Sequence, residues 1–170
     1  MIVLKEKDLK NTLLFADENY ISNGHWLFKK NYVRFTGKGS RIALLQALPK
    51  VRFNQNEDTP VIDGTIPDME KLLKAEEEHT AEQVVAEETN LVESKRLEAV
   101  LFFIASSDKT LPHTWLGMQK AFAELIKGYT VMARGYKDPV SIYDEKELIG
   151  LIMPVKLDEK TLSFLKTAEV

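Results

Sequence analysis

At 170 residues the chain has the length of one domain, or of two small halves sharing a core, and a chain of this size buries about 70% of its unfolded surface. With 44% hydrophobic and 29% charged residues it reads as globular rather than disordered, and with no cysteine it has no disulfide, thiolate metal site or Cys nucleophile. A net charge of −3 gives no global attraction for nucleic acid, and no apolar run approaches the ~18 residues that span a bilayer. The first residues lack the apolar core of a signal peptide, so the expectation is a cytoplasmic protein with no membrane partner.

In chain order, Thr12–Ala16 and Tyr20–Ser22 flank the turn formers Asp17-Glu18-Asn19, and Trp26–Phe28 follows Asn23-Gly24, which predicts a meander of strands. Ser40 reads as the N-cap of a short helix through Ile42, Leu44, Leu45 and Leu48, stopped near Pro49. Val51–Asn54 and Pro60–Ile62 are short strands. From Asp68 to about Val92 the chain is rich in Glu, Ala, Lys and Leu without Gly or Pro, which predicts a long acidic helix interrupted near His79-Thr80. Its runs Glu76-Glu77-Glu78 and Glu87-Glu88 suit a solvated face better than a binding tail. Leu97–Ser106 reads as a buried strand. Leu111–Lys127 reads as a helix burying Trp115, Phe122 and Leu125 and ended by Gly128, and Tyr129–Ala133, Val140–Tyr143 and Leu148–Val155 read as three strands. Thr161–Ala168 is a terminal helical turn. A β-α-β-β-β order from residue 97 implies an α+β fold with an antiparallel sheet and helices on one face.

Three stretches carry a resemblance. Ser22-Asn23-Gly24-His25-Trp26-Leu27 looks like T-D-G-H-R-L; residues 62–73, from Ile62-Asp63-Gly64 through Pro67-Asp68 to Lys71-Leu72-Leu73, look like V-D-G-R-F-P-D-Y-x-x-V-L; and Leu151-Ile152-Met153-Pro154-Val155-Lys156-Leu157 looks like a closing V-M-P-M-R-L. In that order they resemble the bacterial DNA polymerase sliding clamp (the β subunit), which is built from repeated β-α-β-β-β units. The stretches cover roughly 25 residues, and residues 97–157 match the closing half-domain in pattern only. The chain departs from the family. It is less than half as long as a clamp chain, Asn23 and Trp26 replace the motif's Asp and Arg, and it runs on past Leu157 to Val170. A compact relative of the kind carried by a phage or mobile element fits better than a housekeeping clamp.

The resemblance implies that the three stretches line one pocket for short hydrophobic peptides of partner proteins. The implied lining is Gly24, His25, Leu27, Pro67, Lys71, Leu72, Met153, Pro154, Val155, Lys156 and Leu157. Apolar side chains would anchor the peptide, Met153 would adapt to irregular partners, and His25, Lys71 and Lys156 would rim the cleft. The plain alternatives stand beside this. Leu148–Val155 is apolar enough to be core in almost any fold, Pro67 suits the first turn of a helix, and His25 suits a turn.

Catalytic patterns are absent from the sequence. His25, His79 and His113 lie far apart, Gly37-Lys38-Gly39-Ser40 lacks the leading glycine of a phosphate loop, and no G-x-S-x-G occurs. The expectation is therefore a binding protein without cofactor or metal rather than an enzyme. By the resemblance, non-specific contact with the duplex DNA backbone would fall to Lys120 and Lys127, with Lys38, Arg41 and Lys50 near the first helix. The expected organisation is a clamp-like half over residues 1–67, an acidic helical linker over 68–95, a clamp-like half over 96–157 and an extension over 158–170. The expected function is a sliding-clamp-like DNA-replication accessory protein that assembles as a homo-oligomer. The alternatives are a monomeric interaction module or clamp mimic that never encircles DNA, and an unrelated small α+β protein.

Overall fold

Alternating burial marks the first strand: Ile2 and Leu4 of β1 (Ile2–Lys5) are fully buried, Val3 is half-buried and Lys5 is exposed. The computed structural model describes residues 1–62, 64–79, 83–95, 98–105, 114–135 and 137–167. The protein is α+β, in two units, Met1–Ala75 and Glu76–Val170.

In the first unit β1 leads into a one-turn helix α1 (Glu6–Leu9), then β2 (Leu14–Ala16), β3 (Tyr20–Ser22) and β4 (Trp26–Lys29). β5 (Val33–Thr36), α2 (Ser40–Ala47) and β6 (Val51–Phe53) follow. The antiparallel order is β6-β2-β3-β4, and β1 pairs separately with β5 in parallel, Ile2 opposite Val33. The meander predicted from the turn formers is present. β1 and β5 are additions to the predicted strands, and each finds its partner some thirty residues away in the chain. Ser40 is the first helical residue rather than the cap; the N-cap is Gly39, which has no side chain to bond. α3 (Met69–Glu77) leads from this unit to the next.

Arg41 ties the first unit together. The residue is 5% exposed, and its guanidinium donates through Nη1 to the carbonyls of Leu9 (2.7 Å) and Thr12 (2.5 Å) and through Nη2 to those of Asn54 (3.3 Å) and Glu57 (2.6 Å). The fork lies 4.8 Å over the Phe53 ring. Burial pushes its ionisation down from the ordinary guanidinium value, and the charge of Asp58 opposes that. The loops that supply these carbonyls turn at Asn11 and Asn56, both at φ 60°, a backbone region asparagine tolerates.

The second unit holds β7 (Val84–Lys95), β8 (Glu98–Ala105), β9 (Thr114–Gln119), α4 (Lys120–Leu125), β10 (Thr130–Ala133), β11 (Val140–Asp144), β12 (Glu147–Ile152) and α5 (Glu159–Thr167). Its strands run β12-β11-β10-β7-β8-β9, all antiparallel. The three strands predicted for residues 129–155 and the terminal helix are present.

Two expected helices are not. The acidic helix ends at Glu77, and from Val84 the same glutamate-rich text is strand. Thr80 to Glu82 lie outside the described residues. The reason is that Val84, Val85, Thr89 and Val92 are β-branched and that burial at Ala86 and Thr89 leaves Glu87 and Glu88 on the solvent side. Registry shifts between Glu88 and Val92, where the Thr89 hydroxyl donates to the Phe102 carbonyl (2.7 Å) and accepts the Leu91 N–H (3.2 Å). The helix expected over 111–127 is likewise a strand over Thr114–Gln119 and a short helix after it, with residues 111–113 outside the described set. Trp115, Leu116 and Met118 are all buried, as in a strand covered on both faces, and such a run cannot be told from a buried helix by periodicity. Trp115 therefore sits on β9, and the buried residues at α4 are Ala123 and Ile126, with Phe122 and Leu125 only half-buried. The order is strand, strand, helix, then three strands.

After β12, the Val155 N–H donates to the Gly117 carbonyl of β9 at 2.8 Å. Three residues reach at most about 10 Å, whereas the five strand spacings from β12 to β9 would span about 24 Å if flat. The sheet must therefore curl back on itself. Behind the bridge, Leu157 and Leu165 pack on Val100, Phe102 and Trp115.

Replacing Arg41 by Met should destabilise the protein by about 2–4 kcal/mol, because four carbonyls lose a buried donor, and Arg41→Lys should recover only part of it. Urea unfolding would read this as a lower midpoint at unchanged slope. A Cβ at Gly117 would lie 3.0 Å from Leu157 Cδ2 and Val100 Cγ1. Gly117→Ala should therefore cost about 1–3 kcal/mol, less than additively with Leu157→Ala, in a double-mutant cycle of thermal unfolding.

Candidate functional site

Asn23 builds the turn that carries the first stretch. Its Oδ1 accepts the N–H groups of His25 (2.9 Å) and Trp26 (2.8 Å), and Ser22 Oγ donates to the Trp26 carbonyl (2.6 Å) and accepts the Gly24 N–H (3.0 Å). Gly24 stands at φ 88°, a conformation an L side chain rarely adopts, so the glycine follows from the turn itself. Gly24 and His25 are exposed, whereas Leu27 is 5% exposed and belongs to the core beside the stacked Trp26 and Phe28 rings, 4.9 Å apart. Leu27 is thus corrected from a lining residue to a core one, because β4 is covered on both faces, with Trp26 and Phe28 buried on one and Leu27 on the other.

The second stretch ends at α3. Asp68 caps the helix, its Oδ1 accepting the Lys71 N–H at 3.1 Å, so Pro67 precedes the helix instead of occupying its first position. Pro67, Lys71 and Leu72 are exposed, Leu72 by 50%, while Met69 and Leu73 are buried. On the same helix Lys74 is held above its ordinary value by the hydrogen bond to Glu70, with Tyr20 and Asp68 adding to it.

In the second unit, Met153 is 44% exposed, Lys156 is exposed, and Pro154 and Val155 are half-buried. Leu157 is 4% exposed in the Val100–Phe102–Trp115–Leu165 cluster, so it too is corrected from peptide anchor to core. Lys120 is the first residue of α4 and Lys127 follows the helix; both are exposed, with Glu124 exposed between them. The first two stretches belong to the first unit and the third to the second.

An apolar cavity in the second unit has no counterpart among the sequence motifs. About 570 Å³ lies between α5 and β7–β8, lined by Leu91, Val92, Phe102, Thr161, Phe164 and Leu165 and bordered by the charged side chains Glu93, Asp158 and Lys160. Val92 and Phe164 are 48% and 66% exposed there. A smaller cavity of about 120 Å³ lies at the start of α2, beside Glu6, Ser40, Arg41 and Asp58. The Gly37-Lys38-Gly39-Ser40 turn next to it is no phosphate cradle, because the Glu6 carboxyl already faces Gly39: a Cβ there would lie 3.2 Å from Glu6 Cδ. Among the described residues no three of His, Asp and Glu cluster as a metal site, and no helix is long and apolar enough to cross a membrane.

Set against protein-family models, curated proteins and solved structures, the chain matches none of them.

Changing Asn23 to Ala should loosen the β3–β4 turn by about 1–2 kcal/mol, since two N–H groups lose their acceptor. Faster amide hydrogen exchange at His25 and Trp26, with β6 unaffected, is the expected readout.

Proposed function

We propose that the protein is a sliding-clamp-like DNA-replication accessory protein that holds short apolar peptides of partner proteins. The observation that carries this reading is the exposure of Leu72 and Met153, large apolar side chains left in water at motif positions whose neighbours Leu73 and Leu157 are core. The element order supports it as well, since β1-α1-β2-β3-β4 and β9-α4-β10-β11-β12 both run strand, helix and three strands. Lys71, Lys156 and His25 supply exposed polar groups for a peptide's carbonyls and carboxylates.

A monomeric interaction module that never encircles DNA is the second reading. It is favoured by the thin cationic set on α4, where Glu124 stands between Lys120 and Lys127.

A labelled peptide with a Gln and hydrophobic anchors should bind with micromolar affinity, about −8 kcal/mol. Leu72→Ala with Met153→Ala should weaken it by tenfold or more, about 1.4 kcal/mol, while leaving the fold intact because both side chains are exposed. Leu157→Ala is unsuitable for the purpose, since it empties the core. No saturable titration by the unaltered protein would end the peptide reading. Duplex DNA binding at low salt that declines as salt rises, and that Lys120→Glu with Lys127→Glu abolishes, is expected of the clamp-like reading; no retention at low salt selects the interaction module.

A further inference from the structure

The segment that follows β12 is fastened to strands other than its own. Its one backbone bond to the sheet among the described residues runs from Val155 to Gly117 of β9, and its buried anchors, Leu157 and Leu165, sit on Val100, Phe102 and Trp115 of β8 and β9. Its remaining apolar contacts, Val155 and Leu162, are only partly buried against the same cluster. Beside it the 570 Å³ cavity leaves α5 unsupported on one side, and Phe164 stays 66% exposed. The link between this docked segment and β12 is two residues long, Met153 and Pro154, and proline fixes one of its backbone angles.

From this arrangement we propose that residues 153–167 form a strap that two copies of the chain exchange, each strap docking on the β8–β9 face of the other copy. The occupant of that face is already a segment of this chain, so the identical strap of a second copy meets the same bridge and the same apolar seat. A short, stiff link favours exchange because opening it relieves the sharp return to β9, and the packing that Leu157 and Leu165 lose on opening is regained on the seat of the other copy. Exchange is bimolecular, so the swapped dimer gains on the closed monomer as concentration rises. This is independent of the peptide-binding reading, and neither requires the other.

The absence of native cysteine makes the test direct. Leu157 Cδ2 and Val100 Cγ1 each lie 3.0 Å from where a Gly117 Cβ would stand, so the two side chains meet over that residue, and Val100→Cys with Leu157→Cys is the pair to cross-link. The full chain carrying both is incubated at low or high concentration, oxidised, and run on a denaturing gel without reductant. Closed chains give a product of monomer mass, and exchanged chains give a disulfide-linked dimer. The expected result is monomer at low concentration and covalent dimer at high concentration, with neither single-cysteine variant forming it. Monomer-mass product at every concentration, or equal dimer from a single-cysteine variant, overturns the proposal. Should the pair fail to fold, light scattering on the unaltered protein and on a variant with three Gly-Ser residues inserted after Met153 decides the matter. The unaltered protein should dimerise at high concentration and the lengthened variant should lose that dimer. A protein that stays monomeric, or a dimer indifferent to the insertion, overturns it.

Discussion

The second unit is governed by a short tether. The chain leaves β12 at Ile152 and is already bonded to β9 at Val155, although β12 and β9 stand at opposite ends of a six-strand order. That return is compatible only with a sheet that bends, and the sequence places the means to bend at β7. There Val84 and Val85 pair with β10 while the residues from Ala86 onward pair with β8, and the irregularity at Thr89 lets one long strand serve both neighbours. Gly117 completes the arrangement, because a side chain there would crowd Leu157 and Val100 where they meet above the strand. The apolar seat and the cavity beside α5 are consequences of the same return.

What was legible in the sequence follows from how strongly each segment signals its period. The meander over residues 14–29 and the three strands of residues 130–152 are bounded by turn formers such as Asp17, whose carboxylate accepts the N–H groups of Asn19 and Tyr20, both at 2.8 Å. Their neighbours could hardly take another form. The stretch from Val84 to Lys95 was illegible because glutamate and alanine favour helix locally, while the pairing that makes it a strand comes from β8 and β10. At β9, continuous burial removed the alternation that marks a strand.

The candidate site divides along the same line. Motif residues at turns and caps, Gly24, Asn23 and Asp68, have roles that local backbone geometry accounts for in full. Residues inside regular strands or tight packing, Leu27 and Leu157, are claimed by the core. What remains available to the peptide recognition proposed above is the set whose exposure no local rule demands, chiefly Leu72 and Met153, and exposure is a property of the folded chain that spacing alone does not encode. The cavity beneath α5 was invisible for a related reason: its walls come from three elements separated by some seventy residues.

Arg41 carries a consequence for how this fold can drift over evolutionary time. Every hydrogen bond it donates goes to a main-chain carbonyl, at Leu9, Thr12, Asn54 and Glu57. The guanidinium makes no demand on the side chains at those four positions, although Leu9 answers separately to the core, whereas the guanidinium itself has no substitute with the same planar fork. Among descendants of this sequence, position 41 would stand as an invariant cation with no covarying acid. A search for paired charges would pass over it, although it is the cation on which the first unit is assembled.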